Sequence, residues 1–415
     1  MKNRGIAGTI IVYLVFLFLL VRSDQYQSTF EDKVRDYTRL YEFDYVSWTL
    51  DAFWVKIQQS AIDIPRYLTI AQQHQMVMDY IHTLDSWNQV NSDIQQIYTN
   101  PDIHDPAQAA APLLAQQHNL QTQLNQLGPI AEAVIQQQVS SVLAEQGLST
   151  LGQPLPPLLY HITPLPMALI VSPRNVIRQD ANISLLPDLT LDQITSIENN
   201  VEKNLDVSAL VVPVGGVGVY PTMVISSTDL TWLLSTVSHE WTHNYLTVRP
   251  LGINYDATPE LRTMNETTAD IVGGEISKIV IQRYYPELVP PPSNNQPTPS
   301  TPSNQPPAFD FNKEMHTTRV EVDALLAQGK IQEAESYMEQ RRQFFWDNGY
   351  QIRRLNQAYF AFYGAYADTP EGAAGEDPVG PAVRSLRVQS ATLADFVNRI
   401  AAMRSFQQLQ QAIGQ

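Results

Sequence analysis

The chain contains no cysteine. That excludes disulfides, thiol nucleophiles and thiolate-held zinc, so any metal chemistry must run through histidine and carboxylate. Charge is scarce too: Asp, Glu, Lys and Arg make up 16% of the 415 residues, and Gln and Asn carry much of the polar surface. Basic residues are the shortest supply, 26 Lys and Arg against 42 Asp and Glu, for a net charge of −16. A polyphosphate partner needs Lys and Arg, so no nucleic acid is expected, and anionic headgroups would repel such a surface. Histidine occurs 8 times. His74, His82, His104 and His118 have no second histidine at metal-ligand spacing and read as core or surface residues.

Long hydrophobic runs are almost absent. One exists, from Gly5 to Val21, preceded by Lys2 and Arg4. It sits at the short end of the roughly 17–25 residues that span a bilayer. Residues 21–25 lack the small-residue cleavage site of a secretory signal. Residues 1–25 are therefore expected to form an uncleaved signal anchor, with a secreted, cleaved form as the alternative. The basic N-terminal flank places that end in the cytoplasm, leaving the rest as an extracytoplasmic, single-pass membrane protein.

What the sequence does have is a pair of spaced motifs. His239-Glu240-Trp241-Thr242-His243 reads H-E-x-x-H. On a helix, residues four apart share a face, so His239 and His243 can offer two imidazole nitrogens to one ion. Glu240 is rotated by about 100° and can reach a metal-bound water. This suits zinc, which keeps one position open in catalytic sites. Further on stands Asn265-Glu266-Thr267-Thr268-Ala269-Asp270. Glu266 and Asp270 again share a helix face, and the chain between has room for a turn near Pro250-Leu251-Gly252. Glu266 is expected as the third ligand, and Asp270 as the acceptor for a ligand histidine N–H. Burying this many charges without a metal would leave them without partners.

The two blocks resemble the gluzincin metallopeptidases of the thermolysin-like clan, whose pattern is H-E-x-x-H followed by N-E-x-x-x-D or a close variant. The resemblance covers about thirty residues: His239, Glu240, His243, Asn265, Glu266 and Asp270 match. Residues 354–360 and 363–366 are more faintly similar to a helical stretch of bacterial membrane-anchored aminopeptidases. The resemblance implies Zn2+ held by His239, His243 and Glu266, with Asp270 and Asn265 behind them and Glu240 as base. It implies an oxyanion donor from Tyr363 or His316. It also implies an extended peptide or protein substrate paired with a sheet strand near Tyr220 and Met223. The expected function is a membrane-anchored zinc peptidase. One alternative is a catalytically inactive zincin-fold binding or assembly protein of the cell envelope. An intramembrane peptidase is disfavoured, because Thr231, Ser235, Thr236, Ser238 and Asn244 make the motif helix too polar to span.

The remaining patterns give an α+β fold, mainly α, with a small mixed sheet beside the zincin helix pair and helical regions on either side. Residues 26–155 have helical spacing, with a break at Pro65 and a connector at Pro101, Pro106 and Pro112. The catalytic core is expected over 156–286. Strands are expected at 167–171, at 176–177 through 183–185, at 209–214 and at 220–225, with a glycine turn at 215–218. Helices are expected at 191–205 behind Thr190 as N-cap, at 230–246, and from Pro259 through Asp270 toward Tyr284. Gly273-Gly274 inside the last suggests close helix contact. Residues 287–308 are a Pro-rich insertion that cannot bury a core. Residues 309–415 return to helix and complete the cleft, with an aromatic stripe from Tyr350 to Tyr366.

Overall fold

The structure is a computed structural model, and it describes residues 28–99, 103–289, 309–364 and 378–414. The expected signal anchor, Pro101, residues 290–308 of the Pro-rich insertion and Tyr366 lie outside the described residues, while Glu287 and Leu288 at its start belong to a 3-10 turn, Pro286–Leu288. Among the described residues no helix is long and apolar enough to cross a membrane.

Helices dominate, as expected. After α1 (Phe30–Arg35) and α2 (Tyr45–Ile62) come two long helices, α3 (Ile70–Thr99) and α4 (Pro106–Glu145). Gln117 bonds Asn91 and Tyr80 lies beside Gly128, so the pair is an antiparallel hairpin. Pro65 ends α2 through a short 3-10 turn, Ile64–Tyr67. Pro112, expected in a connector, lies inside α4 instead. A proline there costs about 3 kcal/mol. Burial of Ala131, Val134, Ile135, Val139 and Val142 farther along the same helix offsets that cost.

The strands form two small sheets rather than the one expected. In the first, β2 (Met167–Pro173) lies between β3 (Ala181–Leu185) and β4 (Val207–Val212), all antiparallel. Residues 176–177 fall in the loop before β3, not in a strand. Both faces of β2 are buried. Leu169 and Val171 meet Ile194, Ile197 and Val201 of α5 (Leu191–Leu205). Ala168 and Ile170 meet Ala358, Ala361 and Phe362 of α11 (Gln357–Tyr363). Thr190 caps α5 as expected, within a capping box closed by Gln193.

The second sheet is mixed. β1 (Tyr160–Ile162) runs parallel to β6 (Thr222–Val224), which pairs antiparallel with β5 (Gly216–Val217). β5 lies within the glycine turn expected at 215–218, and two residues are too few for any periodicity to register. Tyr220 precedes β6, and Pro221, which has no N–H to give a ladder, stands between them.

Next come α6 (Leu230–Leu246), the short α7 (Pro250–Ile253) and α8 (Pro259–Tyr284). Asp229 accepts from Trp232 N–H to start α6. Thr258 accepts from Leu261 N–H, with Pro259 in the first turn, to start α8. α6 and α8 are packed between the α3–α4 hairpin and the last three helices, α12 (Val379–Val388), α13 (Leu393–Ala401) and α14 (Phe406–Ile413). The end of the helical region expected over 309–415 is thus three short helices. Between α8 and α11 lie α9 (Phe311–Ala327) and α10 (Ile331–Asp347), with their own core around Met315, Val322, Met338 and Phe345. The aromatic stripe is split: Tyr350 packs on Phe311, while Tyr359 and Tyr363 sit on α11.

Candidate metal centre

α6 and α8 meet face to face, and one glycine sets their distance. A Cβ on Gly273 would lie 2.7 Å from the Ser235 carbonyl oxygen and 3.4 Å from His239 Cβ. Real side chains do not tolerate the first contact, so only glycine lets the helices approach this closely. Gly274 faces open space and has no such role. Glu266, Asp270 and Gly273 all lie on the face of α8 turned toward α6.

That approach brings the two motifs together. His239 Nε2 and His243 Nε2 are 3.0 Å apart. Each stands 3.5 Å from Glu266 Oε2. Zinc holds nitrogen at about 2.0–2.1 Å and oxygen at about 2.0–2.2 Å, so tetrahedral ligands sit roughly 3.3 Å from one another. The three atoms match that triangle, and the group can hold a metal ion.

Two further observations fit a cation. His239 Nδ1 lies 2.8 Å from Asp270 Oδ1, and His243 Nδ1 lies 2.8 Å from Asn265 Oδ1. Each ring therefore donates its Nδ1 proton outward and turns an Nε2 lone pair inward. Glu266 Oε2, which faces those lone pairs, is buried without a hydrogen-bond partner. Three electron-rich atoms pointed at one spot repel unless something positive lies between them.

The electrostatics agree. Burial disfavours imidazolium at His239, yet its hydrogen bond to Asp270 and the nearby Glu266 carboxylate lift its pKa well above the ordinary value. His243 is also raised: burial opposes its charge, and Glu266 outweighs that. Burial would raise Glu266, but His243 and His239 hold it well below the carboxylate range. Glu240 is raised, chiefly by burial. A bound cation would replace the proton that this cluster attracts.

The centre opens into a cleft of about 820 Å³. Glu240 lines it beside the ligands and is packed under β5. A Cβ on Gly216 would lie 2.4 Å from Glu240 Oε1, and one on Gly218 would lie 3.2 Å from His243 Cβ. The glycines of this segment therefore let its backbone run directly over the glutamate.

The other expected site residues divide. Tyr363 lines the cleft. His316, on α9, does not belong to its lining, because α9 packs against α10 in a separate core. Met223 is fully buried in β6, the middle strand of its sheet, with β1 and β5 on its two edges. Tyr220 bonds the Pro157 carbonyl outside any strand. Neither offers a free strand edge, and among the described residues the open edge nearest the ligands belongs to β5.

Tyr255 and Arg262 were not foreseen. The Tyr255 hydroxyl donates to Glu266 Oε1, and Arg262 Nε lies 3.4 Å from that hydroxyl. Both line the cleft. Burial first, then the Glu266 charge, pushes the Tyr255 phenol well above its ordinary pKa, so it stays a donor. Arg262 precedes Glu266 by one helical turn, a same-face signal that was available in the sequence. Tyr255 lies in a loop, where no periodicity marks an inward side chain. No family model, curated protein or solved structure matches the chain.

Proposed function

We propose that the protein is a zinc-dependent peptidase, anchored to a membrane by its N-terminal apolar run. The observation that carries this reading is the unpartnered Glu266 Oε2, 3.5 Å from both inward imidazole nitrogens, with Glu240 beside them in an open cleft. His239, His243 and Glu266 would hold the ion. Histidine with carboxylate, and no thiolate, is a donor set of catalytic zinc. Bound zinc supplies Lewis acidity, which brings the pKa of a coordinated water toward about 7 and polarises a carbonyl.

The chain's own groups do the rest. Glu240, its basicity raised by burial, accepts the water proton and delivers it to the leaving amine. Asp270 and Asn265 hold the two imidazoles in their ligating tautomers. The Tyr255 hydroxyl, its one proton engaged by Glu266 Oε1, steadies that carboxylate; Tyr363, which lines the cleft, is the candidate donor to a developing oxyanion. The β5 edge, over Glu240, supplies backbone groups for an extended polypeptide. These features support the gluzincin resemblance of the sequence.

The test is elemental analysis of the purified chain, followed by cleavage of a mixed peptide library. Stoichiometric zinc, with cleavage lost to a chelator and restored by zinc, is expected. Zinc binding with no cleavage of any peptide would instead leave the inactive binding protein.

A further inference from the structure

The outer face of α2 is apolar where water should meet it. Val46, Leu50, Trp54 and Ile57 are 72%, 67%, 62% and 57% exposed. At 100° per residue they fall within an arc of about 80°, which makes one continuous stripe. Tyr67, beyond the helix end, is exposed as well. The opposite face of α2 is fixed to the body of the protein. Lys56 pairs with Glu132 at 2.8 Å, and Trp48 Nε1 lies 3.3 Å from Thr163 Oγ1. The helix thus presents the stripe rigidly. Contiguous exposed apolar surface of this kind marks an interaction site.

We propose that this stripe rests in the interfacial layer of a lipid bilayer. Two observations choose lipid as the occupant. The apolar run of residues 5–21 ends only eight residues before α1 begins at Phe30, a stretch that reaches at most roughly 29 Å. If that run is in the bilayer, the start of the folded chain lies beside the headgroups. The stripe also has the composition of an interfacial helix: aliphatic residues with a tryptophan, and a tyrosine beyond its end. It carries no basic residue, since Lys56 is buried on the opposite face. Contact should therefore rest on apolar burial, need no anionic lipid and change little with salt.

The contact bears on the metal cleft. Tyr45, in the first turn of α2, lines that cleft and bonds Ser184 at 2.8 Å. A docked α2 sets this wall of the cleft beside the membrane, which favours polypeptide segments emerging from the bilayer as substrates. That consequence rests on the peptidase reading above; the docking itself rests only on the membrane anchor.

The absence of cysteine makes the test direct. The full chain carrying Leu50→Cys, labelled with an environment-sensitive fluorophore, is reconstituted into phosphatidylcholine vesicles. Val388→Cys, on the exposed Val388 of α12, is the control. Flotation with the vesicles reads the anchor, and quenching reads the stripe. The expected result is a blue-shifted Leu50 label, quenched by nitroxide lipids and several-fold less accessible to aqueous iodide than the Val388 label. A floating chain whose Leu50 label is open to iodide overturns the docking and spares the anchor. A Leu50 label shielded from both quenchers overturns it as well, because protein then covers the stripe: a second copy, or residues 5–21 folded back. Failure to float overturns both the anchor and the docking. Peptide cleavage by the same sample tests the peptidase reading independently.

Discussion

His239 Nδ1 and Asp270 Oδ1 stand 2.8 Å apart across the α6–α8 contact. This bond fixes which nitrogen of His239 faces the metal triangle. Replacing such an outer partner typically costs about 10–100-fold in metal affinity. Asp270→Asn is expected to weaken zinc binding by that factor, measured by chelator competition. Unchanged affinity would show that His239 needs no such orientation.

Glu240 and His243 separate chemistry from binding. Glu240→Gln should retain zinc and lose about 10²–10⁴-fold in turnover, the usual worth of a positioned base. His243→Ala should lose the metal itself. Elemental analysis beside peptide hydrolysis distinguishes the two, and wild-type hydrolysis by Glu240→Gln would refute the base assignment.

Tyr255→Phe removes one hydroxyl and leaves the ring. That hydroxyl donates to Glu266 Oε1, so zinc affinity is expected to fall by about 10–100-fold, with turnover at full zinc occupancy little changed. Loss of turnover at full occupancy would instead make Tyr255 a donor to the reacting carbonyl.

Gly216→Ala should be disproportionately damaging. Its methyl group would meet Glu240 Oε1, so β5 or the glutamate must shift. Turnover is expected to fall while zinc stays bound. Activity like that of the parent would mean that the Glu240 side chain moves aside at no cost.

Glu132 should add to the acid sensitivity that Glu266, also held low, brings. The buried Glu132 carboxylate binds Lys56 Nζ at 2.8 Å, His161 Nδ1 at 2.9 Å and Ile162 N–H at 2.8 Å. Burial alone would raise its pKa, but Lys56 and His161 bring it from 4.5 down to about 2. A depressed folded pKa gives stability that is present above the unfolded value near 4.5 and lost as pH falls toward 2. The shift corresponds to about 3 kcal/mol. Urea midpoints measured from pH 6 to pH 3 should fall, and the fall should flatten in a Lys56→Met, Glu132→Gln double variant. An equal slope in both would clear this cluster.

The sequence made the helix pair legible because two independent signals coincided there. Pro259 marks the first turn of its helix, and His239/His243 and Glu266/Asp270 recur at helical spacing. His239, His243, Glu266, Asp270 and Asn265 all converge in the structure. The second sheet was not legible. β1 and β5 are three and two residues long, too short for alternation to show, and the order β1-β6-β5 depends on long-range pairing. That is why a strand edge is expected at Met223, which lies instead in the middle strand β6. Tyr255 escaped for a related reason, since a loop side chain is aimed by tertiary contacts alone. His316 shows the opposite error: a titratable residue on a well-read helix says nothing about which core that helix joins.

One hydrogen atom, the missing methyl at Gly273, governs the span between the two jaws that carry the ligands. A bulkier residue there pushes against the Ser235 carbonyl and parts both jaws together, without touching any ligating atom. The position is a caliper setting for the centre, and it lets the bite of the site be varied while its chemistry is left intact.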